Sequence, residues 1–301
     1  MTRLPQIGWL PDGRRLHLQD GPIDLIVEAH GGEAQVRAAY EAAARRFTGL
    51  LDELCSELPD LRRAADPAQC VLRGKVARRM YDAVAPFASE HFVTPMAAVA
   101  GAVAEEILGA MTAATRLDRA YVNNGGDIAL HLADGEHFSI GLMDRPDAQG
   151  LLRTTVVDAC DSARGIATSG RHGRSFSLGI ADAVTVLART VSQADAAATI
   201  IANAVDLPGH PAIVRVRAHD LQPDSDLGAR LVTRDVGELS DTEIADALAR
   251  GAGCARALLL AGLIEGAALR LLGETIIVGT NMQVTRSQPL HGDAVRNLMH
   301  A

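Results

Sequence analysis

Aromatic side chains are scarce: Phe, Trp and Tyr make up 3% of the 301 residues, with a single Trp. A base-stacking platform for single-stranded nucleic acid needs more than that. Lysine is scarcer still, since Lys75 is the only one among 29 Lys and Arg residues. Positive charge is in deficit as well. Asp and Glu number 37, the formal net charge is −8 and the pI is about 5.7, the wrong sign for a surface that neutralises many phosphates. No nucleic-acid partner is expected.

Long apolar runs are missing too. No stretch reaches the roughly 18 uninterrupted apolar residues of a spanning helix, and the most apolar one, Met96 to Ala104, is followed by Glu105 and Glu106. The opening residues lack the apolar core of a signal peptide. A cytoplasmic protein with no membrane partner is expected. Cys55, Cys70, Cys160 and Cys254 show no CxxC pair and no metal-ligand spacing with histidine, so buried or half-buried free thiols are expected. Neither GxGxxG after a strand nor GxxxxGK[ST] occurs, which removes both common nucleotide-binding loops.

Ala, Val, Leu and Ile fill the gap that the aromatics leave, and 48% of the chain is apolar. The segments Arg15 to Gln19 and Ile23 to Glu28 flank Asp20-Gly-Pro22 as a β-hairpin would. Helical spacing of apolar residues predicts a helix from Gly32 to Leu58, ended by Pro59, and another from about Val71 to Phe87. A third should begin at Thr94-Pro95, with Thr as N-cap and Pro at the first helical position. Its small residues would let another backbone or a ligand approach closely.

From about Ala120 short extended runs take over, at 120–122, 128–132, 137–141, 153–157 and 182–187, separated by Gly, Asn and Asp turns. A helix fits Ser192 to Val205, a strand Ile213 to Arg217, a helix Asp241 to Leu263, and a strand pair 268–272 and 274–278. Helices and strands come in blocks. That order predicts an α+β fold, a largely antiparallel sheet with packed helices, in one domain over residues 1–301.

Three segments carry candidate chemistry. In Asn123-Asn-Gly-Gly-Asp127, two glycines let backbone groups approach a ligand and Asp127 adds a carboxylate; a plain hairpin turn explains the same residues. In Gly165-Ile-Ala-Thr-Ser-Gly170 and the following Arg171-His-Gly-Arg174, two hydroxyls and two guanidiniums suit a phosphate or carboxylate. There His172 is a candidate acid or base, although a solvated polar loop has the same composition. In Ser192-Gln-Ala-Asp-Ala-Ala-Ala-Thr199, Asp195 and Thr199 lie four apart on one helix face. As hard oxygen ligands they suit Mg2+; equally, Ser192 and Asp195 have the spacing of a capping box.

Together, Val122-Asn-Asn-Gly-Gly-Asp-Ile128, Ile166-Ala-Thr-Ser-Gly170, Val184-Thr-Val186 and Ala194-Asp-Ala-Ala-Ala-Thr199 resemble the ApbE-like superfamily, whose characterised members are FAD:protein FMN transferases. An uncharacterised branch is similar also at Phe92-Val-Thr-Pro-Met-Ala-Ala-Val-Ala-Gly101 and Gly262-Leu-Ile-Glu-Gly266. The resemblance implies Mg2+ held by Asp195 and Thr199 on the pyrophosphate of a bound FAD, with FMN, a monophosphate, as the other flavin cofactor expected. It also implies that the Gly125-Gly126-Asp127 turn and Thr168, Ser169 and Gly170 surround the ligand; from the residues themselves, Asn124, Arg171 and Arg174 are further candidate contacts and Asp127 and His172 the catalytic candidates.

The transferases place a His-Ile-Ile-Asp-Pro type segment between the TSG loop and the Val-Thr-Val strand. Here Arg171 to Gly179 fills that interval, and His172 is its one imidazole. Three readings follow for a small anionic ligand: flavin or phosphoryl transfer with Mg2+; a non-catalytic ligand-binding or accessory protein, which the branch associates with sulfur and amino-acid metabolism; and a metal-independent enzyme acting on a small carboxylate. The last would use His172, the arginines and the free amides of the helix starting at Thr94. The Ala-rich helices suggest a homodimer, in which Gln283 to Arg286 and the C-terminal strand pair complete a site from either chain.

Overall fold

Leu16, Leu18, Leu25 and Val27 alternate with more exposed residues, the period-2 pattern of strands with one covered face. They form β2 (Leu16–Asp20) and β3 (Ile23–His30), the expected hairpin, with β1 (Gln6–Trp9) added on its outer edge. A computed structural model describes residues 4–143, 151–279 and 285–286.

The single helix expected over Gly32 to Leu58 is instead three: α1 (Glu33–Phe47), α2 (Leu50–Ser56) and α3 (Leu58–Leu61). Gly49 causes the first break, because its φ of 84° is left-handed and cannot continue a right-handed helix. Pro59 does not end a helix. It sits in the first turn of α3, where its missing N–H has no intrahelical partner to lose.

α4 (Lys75–Val84) begins after Gly74, not at Val71, and passes into a 3-10 turn at Ala85–Phe87. Thr94 adopts an extended backbone before the Pro95–Ala98 turn and α5 (Val99–Ala114), but its hydroxyl caps nothing. It donates to the Asp226 carboxylate, a partner 132 residues away. Pro95–Ala114 spans 20 residues and contains an 18-residue window with a mean hydropathy of 1.4, long and apolar enough by composition to cross a membrane. In the fold it is a core helix: Gly101 to Ala104, Ile107 and Met111 are buried, and Glu106, only 4% exposed, binds Arg46, Lys75 and Arg79.

The remaining elements are β4 (Arg119–Asn124), β5 (Asp127–Leu132), β6 (His137–Met143), β7 (Leu151–Asp158), β8 (Gly165–Ser169), β9 (Ala183–Ala188), α6 (Val191–Ala204), β10 (Ile213–Arg217), α7 (Ala218–Leu221), β11 (Leu231–Val236), α8 (Asp241–Leu260), β12 (Gly266–Leu271), β13 (Glu274–Val278) and β14 (Thr285–Arg286). Nine strands form one sheet in the order β1-β2-β3-β4-β5-β8-β9-β12-β13, every neighbouring pair antiparallel. The expected α+β class and antiparallel sheet are what the chain forms.

Two apolar clusters join one face of the sheet to α1, α4, α5, α6 and α8, through Phe47, Met80, Ile107, Ile201 and Leu248 among others. On the opposite face Leu130, Ile166 and Leu187 pack with Val157, Phe138 and Ile140 of the β6–β7 hairpin. Three of the four cysteines are exposed, contrary to expectation: Cys55 lies on the outer side of α2 and Cys70 in the irregular segment before α4.

α8 opens with a complete capping box. The Glu243 amide donates to the Ser240 hydroxyl at 3.4 Å, and the Ser240 amide donates to the Glu243 carboxylate at 2.7 Å. Ser240→Ala is expected to cost about 1 kcal/mol, read by calorimetry as a Tm lowered by about 2–4 °C.

Candidate functional site

Antiparallel pairing gathers several loops at one end of the sheet. Asn124 faces Asp127 across the Gly125-Gly126 turn, Ile128 pairs with Ile166, and β8 runs on to Thr168, Ser169 and Gly170 at that same end. Gly125 and Gly126 have φ of 65° and 112°, left-handed values that make this two-residue turn possible. The Asn123 side chain fixes it, accepting from the Gly126 amide at 2.8 Å. The hairpin reading and the site reading of this segment are therefore both realised in its shape.

Asp127 and Asn124 point to the helical side. Asn124 donates to the Ala100 carbonyl at 3.1 Å, while Asp127 accepts the Thr168 amide at 3.2 Å. Thr168 and Ser169 belong to a strand and not to a loop as expected: Thr168 pairs with Thr185, Ser169 with Val184, and the two threonine hydroxyls meet at 2.9 Å.

Asp195 corrects the capping-box alternative. The N-cap of α6 is Thr190, whose hydroxyl accepts the Gln193 amide; Ser192 donates to Glu105 instead, at 2.7 Å. Asp195 accepts the Gly101 amide at 2.9 Å, and Ala100 donates to it too, so it caps the start of α5. The amides that a free anion was expected to find near Thr94 are thus given to this internal carboxylate. Close approach permits the bond: a Cβ on Gly101 would lie 2.5 Å from the Val191 carbonyl oxygen. Thr199 lies one turn beyond Asp195 on the same helix face.

The electrostatics are unusual. Burial pushes the Asp127 carboxyl up to about 7, against the opposing pull of the Thr168 amide and the Arg174 guanidinium. Asp195 is raised well above the usual carboxylate range, by burial first and by the negative charge of Asp127 second. Asp195 thus lies near enough to Asp127 to be affected by its charge, and it keeps some exposure. Arg174 lies against the Gly125 turn, its guanidinium carbon 3.2 Å from where a Cβ would stand.

Arg171 and His172 form a neighbouring cluster. Arg171 binds Asp182 through two nitrogens, at 2.8 and 2.6 Å, and the His172 Nε2 is 3.3 Å from the same oxygen. The second oxygen of Asp182 accepts the Leu272 amide. Asn124, Gly125, Gly126, Asp127, Thr168, Arg174 and Asp195 therefore come together, with Arg171 and His172 beside them on Asp182. Sequence reasoning missed the part played by Asp182, Thr185 and the Ala100-Gly101 backbone; the small residues before Glu105 were the one signal for the last. Gln283, expected to help complete the site, lies outside the described residues.

The chain is thus an α+β protein with an antiparallel sheet, with Asp127, Asp195 and Arg174 gathered at one end of that sheet. The chain belongs to the family described as AbpE bacteria, which matches residues 7–277. It is 34% identical over 183 residues to a UPF0280 protein of Methanopyrus kandleri, covering 60% of this chain and 69% of that protein. Similar matches are UPF0280 proteins of Archaeoglobus fulgidus (38% over 171 residues, 56% of this chain and 65% of the relative) and Methanosarcina barkeri (33% over 193 residues, 61% and 70%).

Proposed function

We propose that the protein is a cytoplasmic, ApbE-like binder of a phosphorylated ligand, of the flavin-nucleotide class, with Mg2+ at Asp195 and Thr199. The observation that carries this reading is the neighbouring carboxylates of Asp127, which is buried, and Asp195, which is partly exposed; their raised proton affinities mark a place short of positive charge. Carboxylate and hydroxyl oxygens are the donors that Mg2+ prefers, and Asp195, Asp127 and Thr199 offer that set. Bound there, the ion would neutralise phosphate charge. Arg174 is placed to bind a phosphate oxygen by charge-assisted hydrogen bonds, and the Gly125-Gly126 turn leaves room for the ligand beside it. Ser169, Gly170 and Asn124 border the same end.

The test is a titration with FAD followed by flavin fluorescence, first in Mg2+ and then in EDTA. Saturable quenching that EDTA reverses is expected. Mg2+ affinity should rise between about pH 6 and about pH 8, because the ion competes with the proton that Asp127 gives up near 7. Equal quenching in EDTA, or none in either condition, overturns the reading. Binding without turnover is favoured by one detail, the anchoring of both Arg171 and His172 on Asp182; release of AMP from bound FAD would decide against it.

A further inference from the structure

On the helical side of the sheet, around the starts of α4 and α6, a cavity of about 510 Å³ opens on the surface. Its volume is in the range of small-molecule sites. Arg73, Lys75, Arg78 and Arg79 line it, against the acids Asp82 and Glu105. Both oxygens of Glu105 are engaged, one by Arg79 at 3.0 Å and the other by the Ser192 hydroxyl at 2.7 Å. Lys75 and Arg79 also share the buried Glu106 behind the wall.

Arg73 and Arg78 are left over. Both are exposed, and neither side chain has a hydrogen bond or ion pair among the described residues. Two free guanidinium forks beside a compact ammonium suit a ligand with several anionic oxygens on adjacent groups.

We propose that this cavity is a second anion site, which binds a small molecule carrying a di- or triphosphate group. It goes beyond the reading at Asp195 and shares no residue with it. No metal is invoked: with Lys75 and Arg79 shared with Glu105 and Glu106, Arg73 and Arg78 carry the attraction, and the ligand must approach on their side of the wall, away from the exposed Asp82 carboxylate.

The solitary lysine makes a direct test. Inorganic pyrophosphate is titrated calorimetrically into the full chain in EDTA at constant ionic strength, with sulfate as the control anion. Acetylation of Lys75 by an amine-reactive reagent is followed in parallel by mass spectrometry. Expected are pyrophosphate binding at least tenfold tighter than sulfate, protection of Lys75 at saturation, and at least tenfold weaker binding in the Arg73→Ala/Arg78→Ala double variant. Both arginines are exposed, so the variant should keep its Tm, and Arg73→Lys/Arg78→Lys should recover part of the affinity. Asp195→Asn should leave binding and protection unchanged, which separates failure here from failure at the acidic pair. Binding no tighter than sulfate means an adventitious ion only and overturns the proposal. So do an unprotected Lys75, undiminished binding in the double alanine variant, or loss of binding in Asp195→Asn.

Discussion

Asp195→Asn is expected to have two opposite effects: loss of Mg2+-dependent flavin binding and a higher Tm of the ligand-free protein at pH 8. Loss of a residue that merely orients a metal ligand costs about 10–100-fold in affinity. Removing the charged ligand itself should cost about 100-fold or more. The stability effect follows from linkage. Asp127 has an ordinary value of 3.8 in the unfolded chain and about 7 in the folded one. The folded state therefore holds a proton that the unfolded state has given up across that window, and stability falls as pH rises from about 4 to about 7 and stays lost above it. Asp195 is shifted the same way, by burial first and by the Asp127 charge second.

Asparagine at 195 removes a carboxyl whose proton affinity is raised by burial first and by the Asp127 charge second, so the charge it would carry at high pH no longer opposes folding. The gain is a higher Tm at pH 8 that shrinks as the pH is lowered towards 5. Differential scanning fluorimetry across that pH range reads it. A variant less stable than the wild type at pH 8 would show that Asp195 matters more as the cap of α5, through Gly101, than as a repelled charge.

Local features of both fold and site were legible in the sequence. Asn123 to Asp127 reads as a tight turn because its geometry depends on adjacent glycines, and the β2–β3 hairpin shows its period of two in Leu16, Leu18, Leu25 and Val27. Asp195 and Thr199 could be set on one helix face from their spacing alone. What failed was non-local or non-periodic. β8 begins Gly165-Ile-Ala167, buried on both faces, so no alternation marks it as a strand. The helix break at Gly49 looked like one weak residue in a good helical pattern, which tertiary packing resolves in favour of a turn. The partner of Asp195 lies 94 residues away at Gly101, and that of Arg171 and His172 lies at Asp182 across a strand connection. Spacing names the face of an element but not what will cover it.

Gly165→Ala is the other substitution with a large expected effect. A Cβ there would lie 2.1 Å from the Val191 nitrogen and 2.2 Å from the Thr190 carbonyl carbon. These are backbone atoms at the start of α6, so no rotamer change can relieve the clash; the helix itself must lift from β8. Forced overpacking typically costs 1–3 kcal/mol and more where backbone must move. About 3 kcal/mol or more is expected, a Tm lower by roughly 6–12 °C. Gly109→Ala supplies the contrast. It lies inside α5 with nothing within 4 Å of its Cβ position, and should stabilise by about 0.5–1 kcal/mol through helix propensity. Because α6 carries Asp195 to the amides of α5, lifting its first turn should also weaken Mg2+-dependent flavin binding, which Gly109→Ala should spare. A Gly165→Ala protein within about 2 °C of the wild type would mean that α6 does not rest on β8 as described, and the placement of Asp195 beside Asp127 would lose its support.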